Sequence, residues 1–362
     1  MNSIILIAKV THSCNLRCRY CFYTKSLNDH FPTTLSKEDL RTILRKTSEY
    51  WDKVSLVFHG GEPLLLPLEY FQAIIDFQRQ LYEEHGTEFR NSIQTNGTVY
   101  TNELCTFLKN ADIHIGISLD GTRETHDKNR PFKDSDKHSF DLIIENTYKF
   151  KQSGLNPSAL VVATKQVVKD ARSIYDFYKT HKLDFKINEL FSDRTEPDII
   201  PTPTELASFY EKLFDLWFYD TTEPILRIRP FTSMLASFWS TKVGDCTYRS
   251  NCSKFMVLET DGSIFSCARF SYNTEFRLGN ILYESWPKIL SSPVIDRLER
   301  RRDNLPVSCR KCEWLEQCWG GCAACALKDK GNLFDKTHWC ASRKHIFDHI
   351  KNRLIYAMKG AV

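Results

Sequence analysis

Short apolar runs alternate with longer amphipathic ones over the first two-thirds of the chain. Ile4–Val10, Val54–Phe58, Phe89–Gln94, Ile113–Leu119, Ala159–Ala163 and Phe185–Leu190 are short and mostly rich in β-branched residues, as strands buried on both faces should be. Lys37–Trp51, Leu68–His85, Asn102–Asn110, Ser139–Ser153 and Ala171–His181 read as helices, and a sixth is expected over Pro203–Tyr219. Its start, Thr202-Pro-Thr-Glu205, is a capping box with proline at the first helical position, and Leu206, Phe209, Leu213 and Trp217 form its apolar face. Six strand–helix units imply a parallel α/β sheet with right-handed crossovers, and the pattern leaves open an open doubly wound sheet or a partial barrel. From about residue 225 the alternation gives way to cysteines, aromatics and glycines, with Phe255–Glu259 and Ser263–Cys267 flanking a hairpin signal at Asp261-Gly262. The expected domains are therefore 1–225 and 226–362, the second ending in a helix and held together by metal cross-links in place of a large core.

In either sheet architecture the chemistry gathers at the C-terminal ends of the strands. Cys14–Cys21 follow the first strand, His59-Gly-Gly-Glu-Pro63 the second and Gln94-Thr-Asn-Gly97 the third, while Ser118, Asp120 and Gly121 end the fourth. Turn formation explains each case singly. Four successive strand ends of this kind outline one rim.

Composition adds the redox setting. With 362 residues, 42% of them hydrophobic and 26% charged, the chain reads as an ordinary folded protein. A net charge of +4 with acids and bases interspersed shows no basic stripe, so no nucleic-acid partner is expected. The start MNSIILIAKV is not a secretory signal, and no apolar run reaches the roughly 20 residues of a membrane span, so a cytoplasmic protein without a membrane partner is expected. Thirteen cysteines in a reducing compartment point to metal rather than disulfides. Three lie within residues 14–21 and nine between 246 and 340. Cys105, in the helix-like TNELCTFLKNA, is expected to be a buried small apolar residue.

Cys14-Asn-Leu-Arg-Cys18-Arg-Tyr-Cys21 offers three thiolates on one loop. They suit three irons of a cubane and leave the fourth iron open; a zinc site completed by a residue such as His12 is the alternative. The C-x3-C-x-aromatic-C spacing after the first strand, together with Gly60-Gly61-Glu62-Pro63 after the second, resembles the radical S-adenosylmethionine (SAM) superfamily. The resemblance implies an α/β partial (β/α)6 TIM barrel. It implies that SAM chelates the open iron and is cleaved to a 5′-deoxyadenosyl radical that abstracts a substrate hydrogen. It also implies SAM contacts from Gly60, Gly61 and Glu62 to the methionyl amino group, from Ser118 and Arg130 to the carboxylate and ribose, and from the Tyr20 backbone and Leu190 to the adenine.

Cys246, Cys252, Cys267, Cys309, Cys312, Cys318, Cys322 and Cys340 make two further sets of four, for zinc or for [4Fe-4S] clusters. C-x9-G-x4-C, a gap, C-x2-C-x5-C-x3-C, a gap and a last cysteine resemble the SPASM extension of peptide- and protein-modifying radical SAM enzymes. By that resemblance Cys246, Cys252, Cys267 and Cys322 hold one auxiliary cluster, and Cys309, Cys312, Cys318 and Cys340 a second, giving three [4Fe-4S] clusters in all. Cys325 is a spare thiol. Full ligation by protein suggests electron transfer, with an external donor such as flavodoxin or ferredoxin; a structural role is the alternative.

The chain is most similar to anaerobic sulfatase-maturating enzymes, on Cys-Phe-Tyr at 21–23, Gln94-Thr-Asn-Gly-Thr98, Ser118-Leu-Asp-Gly121 and Arg277-Leu-Gly-Asn-Ile281. That group oxidises a cysteine or serine of a sulfatase to formylglycine, using an aspartate directly after the third auxiliary-region cysteine. Here Ala268 follows Cys267, and His59 stands where glutamine is usual. Alanine cannot act as a base. The expectation is a maturase that oxidises or cross-links a ribosomal peptide (cyclophane or thioether), with formylglycine formation or a small-molecule oxidoreductase as alternatives. Tyr23, His59, Gln94, Arg269 and Tyr272 are the candidate substrate-side residues. Because the sequence starts directly at the first strand, the precursor peptide is expected to be recognised by the barrel, the SPASM region or a separate protein.

Overall fold

The computed structural model describes residues 2–21, 23, 31–135, 137–191, 196–239, 244–248, 252–271 and 273–360. Tyr272 lies outside them. Among the described residues ten strands follow in order: β1 (Ser3–Thr11), β2 (Lys53–Gly60), β3 (Glu88–Thr95), β4 (His114–Ser118), β5 (Ser158–Ala163), β6 (Phe185–Glu189), β7 (Ile228–Arg229), β8 (Phe255–Leu258), β9 (Ser263–Phe265) and β10 (Arg277–Asn280). The six strands expected from apolar runs are the first six of these. The helices Leu68–His85 and Asn102–Asn110 have the expected bounds, and the helix expected to reach Trp51 stops at Ser48. Thr202 closes the expected capping box with Glu205 on the helix Pro203–Phe218. A short helix, Arg123–Asn129, has no counterpart among the expected elements. Among the described residues no helix is long and apolar enough to cross a membrane.

The chain forms two compact units. The first comprises residues 1–119, 127–158 and 252–298. Its strands run in the order β10-β9-β8-β1-β2-β3-β4. β1 to β4 pair in parallel, β8 joins the other edge of β1 in parallel, and β9 and β10 continue antiparallel. The Asp261-Gly262 hairpin thus connects β8 and β9 as its sequence suggests. Burial alternates along β2: Val54, Leu56 and Phe58 are buried, while Ser55, Val57 and His59 are half-buried. The buried set packs on helices, with Phe58 edge-on to Phe71 at 5.3 Å. The other face carries Lys53, Ser55, Val57 and His59, with His59 nearest the C-terminal end of the strand. The second unit comprises residues 120–126, 159–251 and 299–362. Here β5, β6 and β7 pair in parallel, and the helix Pro203–Phe218 packs along the C-terminal helix Cys340–Gly360. Asp215 accepts from His349 and Arg353 between those two helices.

Candidate active site

Register decides which residues share the working face of the first unit. Lys9 pairs with His59, and Gln94 with Gly116. Since paired residues point to the same face, Lys9, His59 and Gln94 line up near the C-terminal ends of their strands. Gln94 Nε2 donates to Ser118 Oγ at 2.9 Å, and Gly116 leaves room for that amide, since a Cβ there would lie 2.5 Å from Gln94 Oε1. Two candidate residues, one assigned to substrate and one to SAM, are therefore hydrogen-bonded to each other.

The cysteine loop is built onto the end of β2. Gly61 N–H donates to Thr11 O and Glu62 N–H to Ser13 O, both at 2.7 Å. A Cβ on Gly60 would lie 2.2 Å from Thr11 O, and one on Gly61 2.2 Å from Ser13 O. Gly60 also takes φ +127°, a conformation that glycine alone adopts freely. These glycines thus let two strand ends touch. The Glu62 carboxylate is fully buried and accepts from Leu64 N–H (3.0 Å), Thr95 Oγ1 (2.7 Å) and Asn96 N–H (2.5 Å). Burial pushes Glu62 up to about 7, against those hydrogen bonds and the charge of Arg130.

Residues 129–132 form the other side of the loop. Arg17 and Arg19 N–H donate to the carbonyls of Pro131 and Asn129, and Leu16 bridges Phe132. Buried Arg130 donates to Cys18 Sγ at 3.8 Å and lies 5.4 Å over the Tyr20 ring. Cys14 Sγ accepts from Leu16 N–H at 3.4 Å and from the Asn96 amide at 3.9 Å. Donors directed at sulfur are what thiolate ligands of a cluster call for, since such bonds stabilise and tune the charge on sulfur.

Beside this loop lies a buried polar chamber that the apolar pattern of the first strand conceals. Lys9 is wholly enclosed and forms an ion pair with the equally enclosed Glu259, which follows β8. Burial draws the Lys9 pKa down, and Glu259 works against it. Lys9 Nζ sits 4.4 Å from the centre of the Tyr23 ring, and Tyr23 stacks on His59 at 5.4 Å. His59 Nδ1 accepts from Gly60 N–H, which leaves its proton on Nε2. Burial and the Lys9 charge push His59 down to about 4, so this imidazole is neutral at physiological pH. Cys252 and Cys267 belong to the same unit; Cys267 caps the turn Ala268–Phe270 by accepting from Arg269 N–H.

In the second unit, Cys309, Cys312, Cys318 and Cys340 line one small cavity, together with Trp314, Phe347 and Arg343. The Cys309 thiol is pushed up to about 11 by burial and by Cys340 and Cys318. Thiols packed this closely oppose one another's ionisation, and metal cations relieve that opposition. The donor set, all sulfur, fits an iron–sulfur cluster. Among the described residues no three His, Cys, Asp or Glu side chains converge on the position of a single ion. Leu190 is buried just after β6, and Cys246 and Cys322 also belong to this unit. Among the described residues no two cysteines form a disulfide, and Cys105 and Cys325 are buried.

The radical SAM superfamily model matches residues 8–177, and that of SPASM, an iron-sulfur cluster-binding domain, matches residues 246–313. The chain is a radical SAM enzyme with a SPASM domain. It is similar to the cysteine-type anaerobic sulfatase-maturating enzyme of Clostridium perfringens, 28% identical over 365 residues that cover 97% of each chain. The solved structure of anSMEcpe with bound AdoMet and Cp18Cys peptide superposes with a TM-score of 0.88 at 25% identity, covering 99% of both chains. Streptococcus suis SuiB bound to its precursor peptide SuiA shares the fold, with a TM-score of 0.69 at 18% identity over 94% of this chain and 76% of that one. The partial barrel expected from the motifs is thus the fold of this radical SAM/SPASM enzyme.

Proposed function

We propose that this enzyme abstracts a side-chain hydrogen from a ribosomally made peptide and yields an oxidised or cross-linked product. Ala268 carries the choice of product. It opens the turn after Cys267 with a methyl group, where sulfatase maturases place a proton-accepting carboxylate. Under this reading Cys14, Cys18 and Cys21 hold the SAM-binding cluster, Cys246, Cys252, Cys267 and Cys322 one auxiliary cluster, and Cys309, Cys312, Cys318 and Cys340 the other. When bound, the first cluster would supply the electron for SAM cleavage and the other two a path for the electron that follows. The chain's own residues do the rest. Gly60 and Gly61 bring the end of β2 against the cysteine loop. Tyr20, Glu62, Ser118, Arg130 and Leu190 surround SAM. Neutral His59, Tyr23 and the Lys9–Glu259 pair form a dry polar wall on the substrate side, and Gln94, Arg269 and Tyr272 are the further substrate-side candidates. A flavodoxin or ferredoxin supplies the electron.

The likeness to a sulfatase maturase over 97% of both chains favours formylglycine formation as the second reading. Reconstituted enzyme with SAM and reductant should be offered a sulfatase peptide and, separately, the product of a neighbouring small open reading frame. Mass loss on the second alone is the expected result. Formylglycine in the sulfatase peptide overturns the preferred product.

A further inference from the structure

Arg343 stands out among the groups lining the thiol cavity. It lies one helical turn beyond Cys340 on the C-terminal helix and is 1% exposed. Nη1 donates to Thr247 O at 2.6 Å and Nη2 is bonded to the Glu189 carboxylate. The guanidinium lies 4.2 Å over the Tyr248 ring, and Tyr248 Oη donates to the other Glu189 oxygen at 3.2 Å. Gly321 allows this close fit, since a Cβ there would lie 2.9 Å from Nη1. Among the described residues Nε, equally buried, has no hydrogen-bond partner. A buried donor left unmade is costly, and the cavity it borders is lined by four sulfurs.

We infer that Arg343 is a positioning residue for the second auxiliary site: pinned by Glu189 and Thr247, it presents its charge and its free Nε–H to the sulfurs of the cavity and sets the potential at which that site exchanges one electron. The inference rests on the reading that Cys309, Cys312, Cys318 and Cys340 hold a cluster. The Arg343–Glu189 pair is neutral as a whole but not as seen from the cavity, because Arg343 lines it and Glu189 does not. Positive charge and N–H···S bonds favour the reduced, more negative state of a cluster. Glu189 also ends β6, so the device that tunes the cavity is fastened to the strand preceding Leu190.

The test uses full-length, iron-reconstituted protein carrying C14A, C18A and C21A, so that only the auxiliary clusters report. C309A/C312A in that background identifies the relevant electron paramagnetic resonance signal by its loss. R343M/E189Q replaces the pair without stranding a charge, a change that buried pairs tolerate. It should titrate at a more negative potential, with a tenfold change in the oxidised-to-reduced ratio, about 59 mV for one electron. R343K, which keeps charge but loses the fork, should shift less, and E189Q should shift the opposite way. A purely structural role predicts no such opposed signs. Wild-type potentials in R343M/E189Q and R343K at wild-type iron content overturn the inference. Full iron in C309A/C312A would instead overturn the ligand set beneath it.

Discussion

Lys9 and Glu259 lie 250 positions apart in sequence and form an ion pair that no solvent reaches. A lysine in an apolar first strand and a glutamate at the end of a short later one are explained by each other. Burial holds His59 neutral and the Lys9 charge adds to it, and the pair predicts how the barrel responds to its removal.

Lys9→Met strands a buried carboxylate and should cost about 3–5 kcal/mol, whereas K9M/E259M should lie much closer to wild type. Anaerobic urea denaturation of the three proteins decides. A double variant as unstable as K9M would show that the pair is not the main partner of either group.

Gly60→Ala and Gly61→Ala should disturb the cysteine loop before they disturb the fold. Each new methyl group meets a backbone oxygen of that loop's entry at 2.2 Å. Both variants should lose most of the iron that C14A/C18A/C21A loses, while the thiols of the second unit keep theirs. Iron content against circular dichroism reads the two effects separately, and full iron in both variants refutes the close-approach explanation.

Glu62 and His59 should give opposite pH signatures. Glu62 titrates at about 7 in the fold against an ordinary 4.5. Between those values the folded chain holds a proton that the unfolded chain has released, so stability falls as pH rises. His59 titrates at about 4 against an ordinary 6.5; there the unfolded chain holds the extra proton, so stability falls as pH falls. Each slope is at most about 1.4 kcal/mol per pH unit. Relative to E62Q, wild type should weaken from pH 4.5 to 7; relative to H59Q, it should weaken from pH 6.5 to 4. Parallel denaturation midpoints across this range would remove the buried-group account.

Ala268→Asp should create the proton acceptor this chain lacks. Formylglycine formation on a cysteine-type sulfatase peptide should rise by roughly 10²–10⁴-fold, the usual worth of a positioned base. Mass spectrometry after anaerobic turnover measures it. No gain, with the clusters loaded, would show that His59 or another wall residue also excludes this substrate.

The strands and most helices were legible because they repeat one simple unit, a short apolar run and an amphipathic one. The helix Arg123–Asn129 was not, since its seven residues are all polar and offer no apolar stripe. The cysteine-rich segments stood out because thiols are uncommon in most chains and their spacing is informative. Lys9 was hidden because a single lysine in an apolar strand reads as its end, and the carboxylate that accounts for it lies far along the chain. Glu62 was visible as a motif, but its hold on Thr95 and Asn96 was not, because those residues also suit a plain turn. Arg343 left one usable signal, the Cys340-x2-Arg343 spacing that places both on one helical face. Its partner Glu189 left none.

The pairing of Ile5–Ala8 with Phe255–Leu258 has a consequence for how the protein is made. One edge of β1 stays open until β8 leaves the ribosome, roughly 10–50 s later at ordinary elongation rates. An unpaired apolar strand is a template for intermolecular pairing. The nascent chain therefore passes through a long interval in which that edge can pair with other chains instead of its own.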